Sequence, residues 1–203
     1  MARRSEHSLE EIRIMVLDAA EAIVIKDGYP ALKVRSIARE IGYTVGSIYM
    51  VFANMADLVM HIKARTLDDI AAQLQQAQDS APEQCIAELA RIYLRYASQN
   101  FNRWSMIFEY RLPQDEGVPE WYQEKAGNVF SKVEAQFAKL APQCSVQQSK
   151  QAARALWSGV HGICILSLTG KQDAAGIKDV ENAVALLVQS FIAGWAGAAS
   201  LGD

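Results

Sequence analysis

The amino-acid sequence predicts an all-α protein of about nine helices. Apolar residues recur at intervals of three and four almost throughout, and no stretch alternates polar and apolar as a half-buried strand would. Helix start and stop residues bracket these periodic stretches, with Ser8, Thr44, Asn54, Ser80 and Ser145 before them and Gly28, Gly42, Pro142 and Gly170 after them. The composition, 51% hydrophobic and 21% charged over 203 residues, is that of a folded chain with a sizeable core.

The elements follow in order. Ser8 and Glu11 form a capping box, and Ile12, Val16, Ala19 and Ile23 make one apolar face, stopped by Gly28 and Pro30. Val34, Ile37, Ala38 and Ile41 predict a short second helix closed by Gly42, and Thr44 caps a third from about Val45 to Val51. Asn54 caps a long fourth helix, supported by Asp57 and continuing through Leu58, Ile62, Ile70 and Leu74. Ser80 and Glu83 read as another capping box, with Pro82 in the first turn of a helix carrying Ile86, Leu89, Tyr93, Tyr96 and Ala97. A helix from Arg103 to Leu112 stands before a loop bounded by Pro113, Gly117 and Pro119. The next helix covers Glu120 to Leu140. Ser145 and Gln148 open a long apolar helix that reaches Leu168, and the last helix follows a loop at Gln172 to Lys178.

Composition also excludes functions. The net charge of −3 argues against a general nucleic-acid binder and leaves room for a small sequence-reading module. Cys85, Cys144 and Cys164 form no close pair and no metal-ligand spacing, and no secretory signal is visible, which together point to a reducing cytoplasm. From Asn182 to Gly202 no residue is charged, yet Gln189, Ser190 and the Ala and Gly content read as an interface helix rather than a membrane span. His7, His61 and His161 are far apart and suggest no metal set. There is no phosphate-binding glycine loop, HExxH, nucleophile elbow or clustered carboxylate pair, so neither an enzyme nor a cofactor is expected.

The informative stretch is Val34 to Leu58, VRSIAREIGYTVGSIYMVFANMADL. A helix-turn-helix needs two short helices at a steep angle with a tight turn between them. Ile37 and Ala38, Gly42 at the turn, and Ile48 meet that need, leaving the opposite face of the second helix for a major groove. That face carries Thr44, Val45, Gly46, Ser47, Tyr49 and Met50, with hydroxyls for phosphate or base edges, apolar groups for a thymine methyl, and no charge. Residues 1–52 hold seven Lys or Arg against seven Asp or Glu, so basic groups must be segregated for such a module to work. A helical hairpin that serves only a core is the bland alternative.

The run Ile37-Ala38, Gly42, Gly46, Ile48-Tyr49, Phe52 and Leu58 resembles the signature of TetR/AcrR family regulators, and the first helix lies at the matching distance upstream. The resemblance implies a helix-turn-helix DNA-binding domain over residues 1–53 and an effector-binding and dimerisation domain over 54–203. It implicates Lys33, Arg35, Thr44, Val45, Gly46, Ser47, Tyr49 and Met50 in DNA contact. Val51 stands where the family often has His, and Met55 where it commonly has Lys, so either binding is weaker or Arg3, Arg4 or Arg39 compensates. Trp157 with His161-Gly162 is similar to a Trp-His-Gly motif of one C-terminal subgroup.

What the resemblance implies is a homodimeric repressor released from a palindromic double-stranded operator by a small hydrophobic effector, which would move the fourth helix. The family also contains activators and members that respond to no small molecule. Candidate pocket residues are Tyr93, Tyr96, Trp104, Phe108, Trp121, Phe130, Trp157 and His161, with ordinary core packing as their bland reading. Arg95, Arg103 and Arg111 are candidates to balance an anionic effector. Dimerisation is expected through the last two helices, by Ala155, Val160, Ile163 and Leu166 and by Val184, Leu187, Phe191, Gly194 and Ala198, with Gly194 and Gly197 permitting close approach. Other readings are a thiol-based redox regulator working through the cysteines, or a helical protein that has lost DNA binding.

Overall fold

The computed structural model describes residues 7–77, 80–112, 117–171, 176 and 179–199. Over these it is nine α-helices with one 3-10 turn and no strand. They are α1 (Leu9–Asp27), the turn Tyr29–Ala31, α2 (Val34–Glu40), α3 (Val45–Tyr49), α4 (Met55–Gln75), α5 (Pro82–Gln99), α6 (Phe101–Glu109), α7 (Glu120–Leu140), α8 (Val146–Leu168) and α9 (Val180–Ala199). Arg3, Arg4, Pro113 and most of the expected loop at Gln172 to Lys178 lie outside the described residues. Among the described residues no helix is long and apolar enough to cross a membrane.

Capping residues set most boundaries. Ser8 Oγ accepts the Glu11 N–H at 3.2 Å, and Glu11 Oε2 accepts the Ser8 N–H at 2.7 Å. That second bond lowers the pKa of the Glu11 carboxyl. Ser145 and Gln148 repeat the reciprocal pair at α8. At α4, Asn54 Oδ1 accepts the Asp57 N–H at 2.8 Å while Asp57 Oδ2 accepts the Ala53 N–H at 2.9 Å. Gly42 and Gly170 end their helices at φ 71° and 70°, the left-handed backbone that favours glycine.

Three boundaries differ from expectation. Ser80 does not cap α5; Ala81 is the N-cap and makes no side-chain bond, and Pro82 opens the helix where a missing N–H costs nothing. The sixth helix begins at Phe101 and ends at Glu109 rather than running from Arg103 to Leu112. Asn100 explains the early start: its N–H and Nδ2 both bond the Tyr96 carbonyl, closing α5 without glycine or proline. α3 ends at Tyr49, two residues short of Val51.

The chain packs as two compact units, one of Met1–Leu67 with Asn102–Gln123, the other of Asp68–Phe101 with Glu124–Asp203. Packing thus groups the first half of α4, and α6, with α1–α3, whereas the expected division after residue 53 follows the helix-turn-helix alone. In the first unit Val16, Ala20 and Val24 of α1 are fully buried against Ile37, Ile48, Leu58 and Ile62. On another side of α1, Glu21 takes Arg103 at 2.6 Å and Arg65 at 3.1 Å, and Arg65 also reaches Asp18 at 2.6 Å. Arg103 and Glu21 are 13% and 16% exposed, so this pair is largely shielded from water.

In the second unit Phe137 of α7 is fully buried and meets the rings of Phe191 and Trp195 on α9 edge-on. A Cβ added to Gly159 on α8 would lie 2.7 Å from a Leu187 methyl, so the close helix approach is here, between α8 and α9 of one chain. Gly194 and Gly197 would meet nothing within 4 Å. Val160 and Val184, expected on a dimer face, are 3% and 2% exposed and belong to the protomer's own core.

The Glu21 network fixes α4 and α6 on α1. Glu21→Ala, which takes the carboxylate from two guanidinium groups, is expected to cost about 2–3 kcal/mol, read from the urea midpoint at neutral pH. An unchanged midpoint would mean that the network contributes no net stability.

Candidate functional site

The turn between α2 and α3 is closed by backbone bonds from Gly42 to Arg39 at 3.3 Å and from Tyr43 to Ala38 at 3.0 Å. Ile37, Ala38 and Ile48 are buried, which fixes how α3 is rolled about its axis. The face opposite Ile48 is therefore outside. Tyr49 and Met50 are 44% and 68% exposed, and Thr44 and Gly46 are exposed too. Thr44 Oγ1 accepts the Ser47 N–H at 3.2 Å and lies 3.0 Å from Ser47 Oγ, so the two hydroxyls form one polar patch at the start of α3. Val45 and Ser47 are half-buried, and of the two Val45 packs against the core.

Lys33, Arg35 and Arg39 are all exposed on and just before α2. Three of the seven acids of residues 1–52 are taken up within the fold. Asp18 and Glu21 are engaged by Arg65 and Arg103, and Glu11 caps its own helix.

Sequence reasoning missed the supports of α3. His7 Nδ1 lies 2.7 Å from the Tyr43 hydroxyl, seating the residue before the α1 N-cap against the turn. Arg13 of α1 donates from Nη1 to the Val51 carbonyl at 2.8 Å, lies over the Phe52 ring at 4.6 Å, and reaches His61 Nε2 from Nη2 at 2.8 Å. His61 Nε2 is also 3.3 Å from Asp57 Oδ1, and its ring stacks on Trp121 at 4.7 Å. Lys63, nine-tenths buried, lies over the rings of Tyr122 and Tyr110 at 5.3 and 5.7 Å, and burial lowers its pKa. Apart from Asp57 and His61, which are one helical turn apart, these pairs join residues 36 to 60 positions apart, a separation that carries no local signal.

The eight pocket candidates divide between the two units. In the second unit a cavity of about 50 Å³ is lined by apolar side chains that include Tyr93, Phe130 and Trp157, with Leu89, Leu156 and Val160. The Tyr93 hydroxyl lies 3.1 Å from His161 Nδ1, and the His161 ring stacks on Trp157 at 5.1 Å. Burial lowers the His161 pKa, which keeps the imidazole neutral near pH 7. Tyr96 is buried on α5 without being a wall of this cavity. Trp104, Phe108 and Trp121 belong to the first unit: Trp104 is fully buried edge-on to Phe108, and Trp121 carries His61.

The arginines proposed for an anion are otherwise engaged or exposed: Arg103 pairs with Glu21, Arg95 lies 3.9 Å from Glu88, and Arg111 is on the surface. Cys85 and Cys164 are buried, and burial pushes the Cys164 thiol up to about 12, the reverse of an activated thiolate. Among the described residues no group of three His, Cys, Asp or Glu could hold a metal ion.

Comparison with known proteins agrees with this geometry. Residues 86–191, more than half of the chain, match the family described as Tetracyclin repressor-like, C-terminal domain. Residues 16–62 match Bacterial regulatory proteins, tetR family. An uncharacterized HTH-type transcriptional regulator of Mycobacterium tuberculosis is 25% identical over 162 residues, covering 79% of this chain and 72% of that protein. A protein of unknown function from Rhodococcus sp. RHA1 shares the fold at a TM-score of 0.73 and 21% identity, covering 96% of this chain and 98% of that one. A TetR variant from Acinetobacter baumannii AYE in complex with minocycline does so at 0.62 and 17%, covering 91% and 96%. With its helix-turn-helix and its C-terminal helices both matched, the chain belongs to the TetR family of DNA-binding transcription regulators.

Proposed function

We propose that the protein is a homodimeric repressor that reads a palindromic operator in the cytoplasm and is released by a small, neutral, apolar effector. The observation that carries the DNA half is the outer face of α3, an uncharged surface of Thr44, Gly46, Ser47, Tyr49 and Met50 held outward by the burial of Ile48. Thr44, Ser47 and Tyr49 supply hydroxyls for phosphates and base edges, and Met50 an apolar contact for a thymine methyl. Lys33 and Arg35 supply phosphate charge, with Arg39 standing in for the cations absent at Val51 and Met55. Val45, half-buried, contributes through the packing of α3.

Dimerisation is assigned to α8 and α9. Ala155, Gly194 and Leu186 are exposed there, Leu186 at 63%, and Ile163, Leu166 and Phe191 are half-buried. A two-fold pair would present two α3 helices to successive major grooves.

The effector is assigned to the cavity beside Tyr93, Phe130 and Trp157. No wall residue carries a formal charge near neutral pH, which selects against ions because a buried charge without a partner is costly. The cavity is small beside the roughly 300–1,000 Å³ of drug-sized sites, so binding entails side-chain movement. The route to α3 is α4, one helix that carries Leu74 of the cavity wall and, near its start, Asp57 and His61.

DNA binding is tested with the chain's own upstream region across a salt series. Tyr49→Ala and Arg35→Ala are expected to keep the fold, changing stability by less than about 0.5 kcal/mol, and to weaken operator binding. Arg35→Ala is also expected to lower the salt slope by about one. Ile48→Ala is expected to cost about 2–4 kcal/mol in stability. Tyr49→Ala binding as tightly as wild type would exclude α3 as the reading helix.

For the effector, benzyl alcohol, benzoate and benzylammonium have one shape and three charges. Benzyl alcohol is expected to perturb tryptophan emission, an effect lost in Trp157→Phe, and to release DNA. Stronger binding of either ion would overturn the assignment.

A further inference from the structure

We propose that Arg13 is a positioning residue for α3 and that the proton on His61 decides whether Arg13 holds its place. The inference goes beyond effector control and rests on α3 as the reading helix. α3 has five residues, and the turn after it, where the Val51 and Phe52 N–H groups share the Ile48 carbonyl, leads straight into α4. Arg13 caps this turn: one arm of its guanidinium holds the Val51 carbonyl at 2.8 Å, and its plane covers Phe52.

The other arm meets His61, and here the chemistry is exclusive. A guanidinium only donates, so its 2.8 Å bond requires His61 Nε2 to be a bare acceptor, with the ring proton on Nδ1. A carboxylate only accepts, so the 3.3 Å approach of Asp57 to the same Nε2 becomes a hydrogen bond only when that nitrogen carries a proton. One atom cannot serve both. In the neutral ring Nε2 belongs to Arg13; protonated, it donates to Asp57 and turns a positive charge toward the guanidinium.

The imidazole itself has little freedom to move away. It is stacked on Trp121 at an interplanar angle of 10° and meets the Phe52 edge at 5.7 Å. Arg13 from α1 and Asp57 from α4 bring opposite charges to it, and Phe52, just beyond α3, and Trp121 from α7 contribute rings. Protonation therefore acts on Arg13, which loses one of its two anchors while still holding the end of α3. The sign follows: acidification loosens α3 and weakens operator binding.

The test uses the full chain at constant ionic strength between about pH 5.5 and 8. Wild-type affinity for the operator is expected to fall about tenfold on acidification, the scale of one charge-assisted hydrogen bond. His61→Gln, whose amide oxygen accepts from Arg13 at every pH, is expected to give a flat profile, and His7→Gln to keep the fall. Arg13→Ala is expected to bind weakly throughout, with circular dichroism reporting whether it folds. Hydrogen exchange of the amides of residues 45–52 in the protein without DNA is the second readout. Faster exchange at low pH in wild type but not in His61→Gln would support the clamp even if α3 reads no DNA. Parallel exchange in wild type and His61→Gln would overturn it, whereas parallel affinities with different exchange would overturn α3 as the reading helix.

Discussion

Everything at the candidate interface depends on the burial of Ile48. A five-residue helix cannot hold itself in water, because nucleation fixes several residues for almost no hydrogen-bond return. α3 exists because Ile48 and Phe52 are buried with Ile37 and Ala38 of α2 and Val16 and Ala20 of α1. Once Ile48 points inward, the positions of Tyr49, Met50 and Gly46 around the helix are determined, and no further interaction is needed to expose them. Polar contacts then sharpen the result, with Thr44 at the start of α3 and Arg13 beyond its end.

α1 is the strut for this arrangement and uses two of its sides. Its apolar side holds α2, α3 and the start of α4. Its acidic side, Asp18 and Glu21, is taken by Arg65 and Arg103. That second side matters for charge as well as for stability. With these acids engaged, the exposed cations Lys33, Arg35 and Arg39 on and before α2 outnumber its one exposed acid, Glu40, although the segment as a whole is neutral. Net charge over a stretch is therefore a poor guide to a binding face; the pairing of each acid decides.

The parts legible in the sequence were those written in local chemistry. Ser8 with Glu11, Ser145 with Gln148, and Asn54 with Asp57 act across three residues and could be read directly. Ser80 with Glu83 has the same spacing and fails, because Pro82 already starts α5 without a donor to satisfy. The start of α6 was hidden because Asn100, a weak signal, does the work of a glycine. Among the aromatic residues composition could not separate cavity from core: Trp157 lines an opening, whereas Trp104 is solid packing. Val160 and Val184 had the periodicity of an interface and turned out to fill their own protomer, since apolar spacing does not say which partner covers a face.

The least legible feature is also the one with the most chemical content. Nothing near Arg13 in sequence distinguishes it from a solvated helix arginine, and nothing near His61 marks a shared nitrogen. Their meaning arises when α1, α4 and the residues after α3 bring a donor-only group and an acceptor-only group to one imidazole atom. Such a junction differs from an ordinary ion pair. An ion pair between a guanidinium and a carboxylate offers no choice of partner, because one group only donates and the other only accepts. Placing a histidine nitrogen between them introduces a choice, and the flanking rings of Trp121 and Phe52 keep the ring from escaping that choice. A mutation that merely removed bulk at His61 would change packing at every pH, whereas an acceptor of similar size would change only the pH response. That difference separates a positioning role from a structural one at this site.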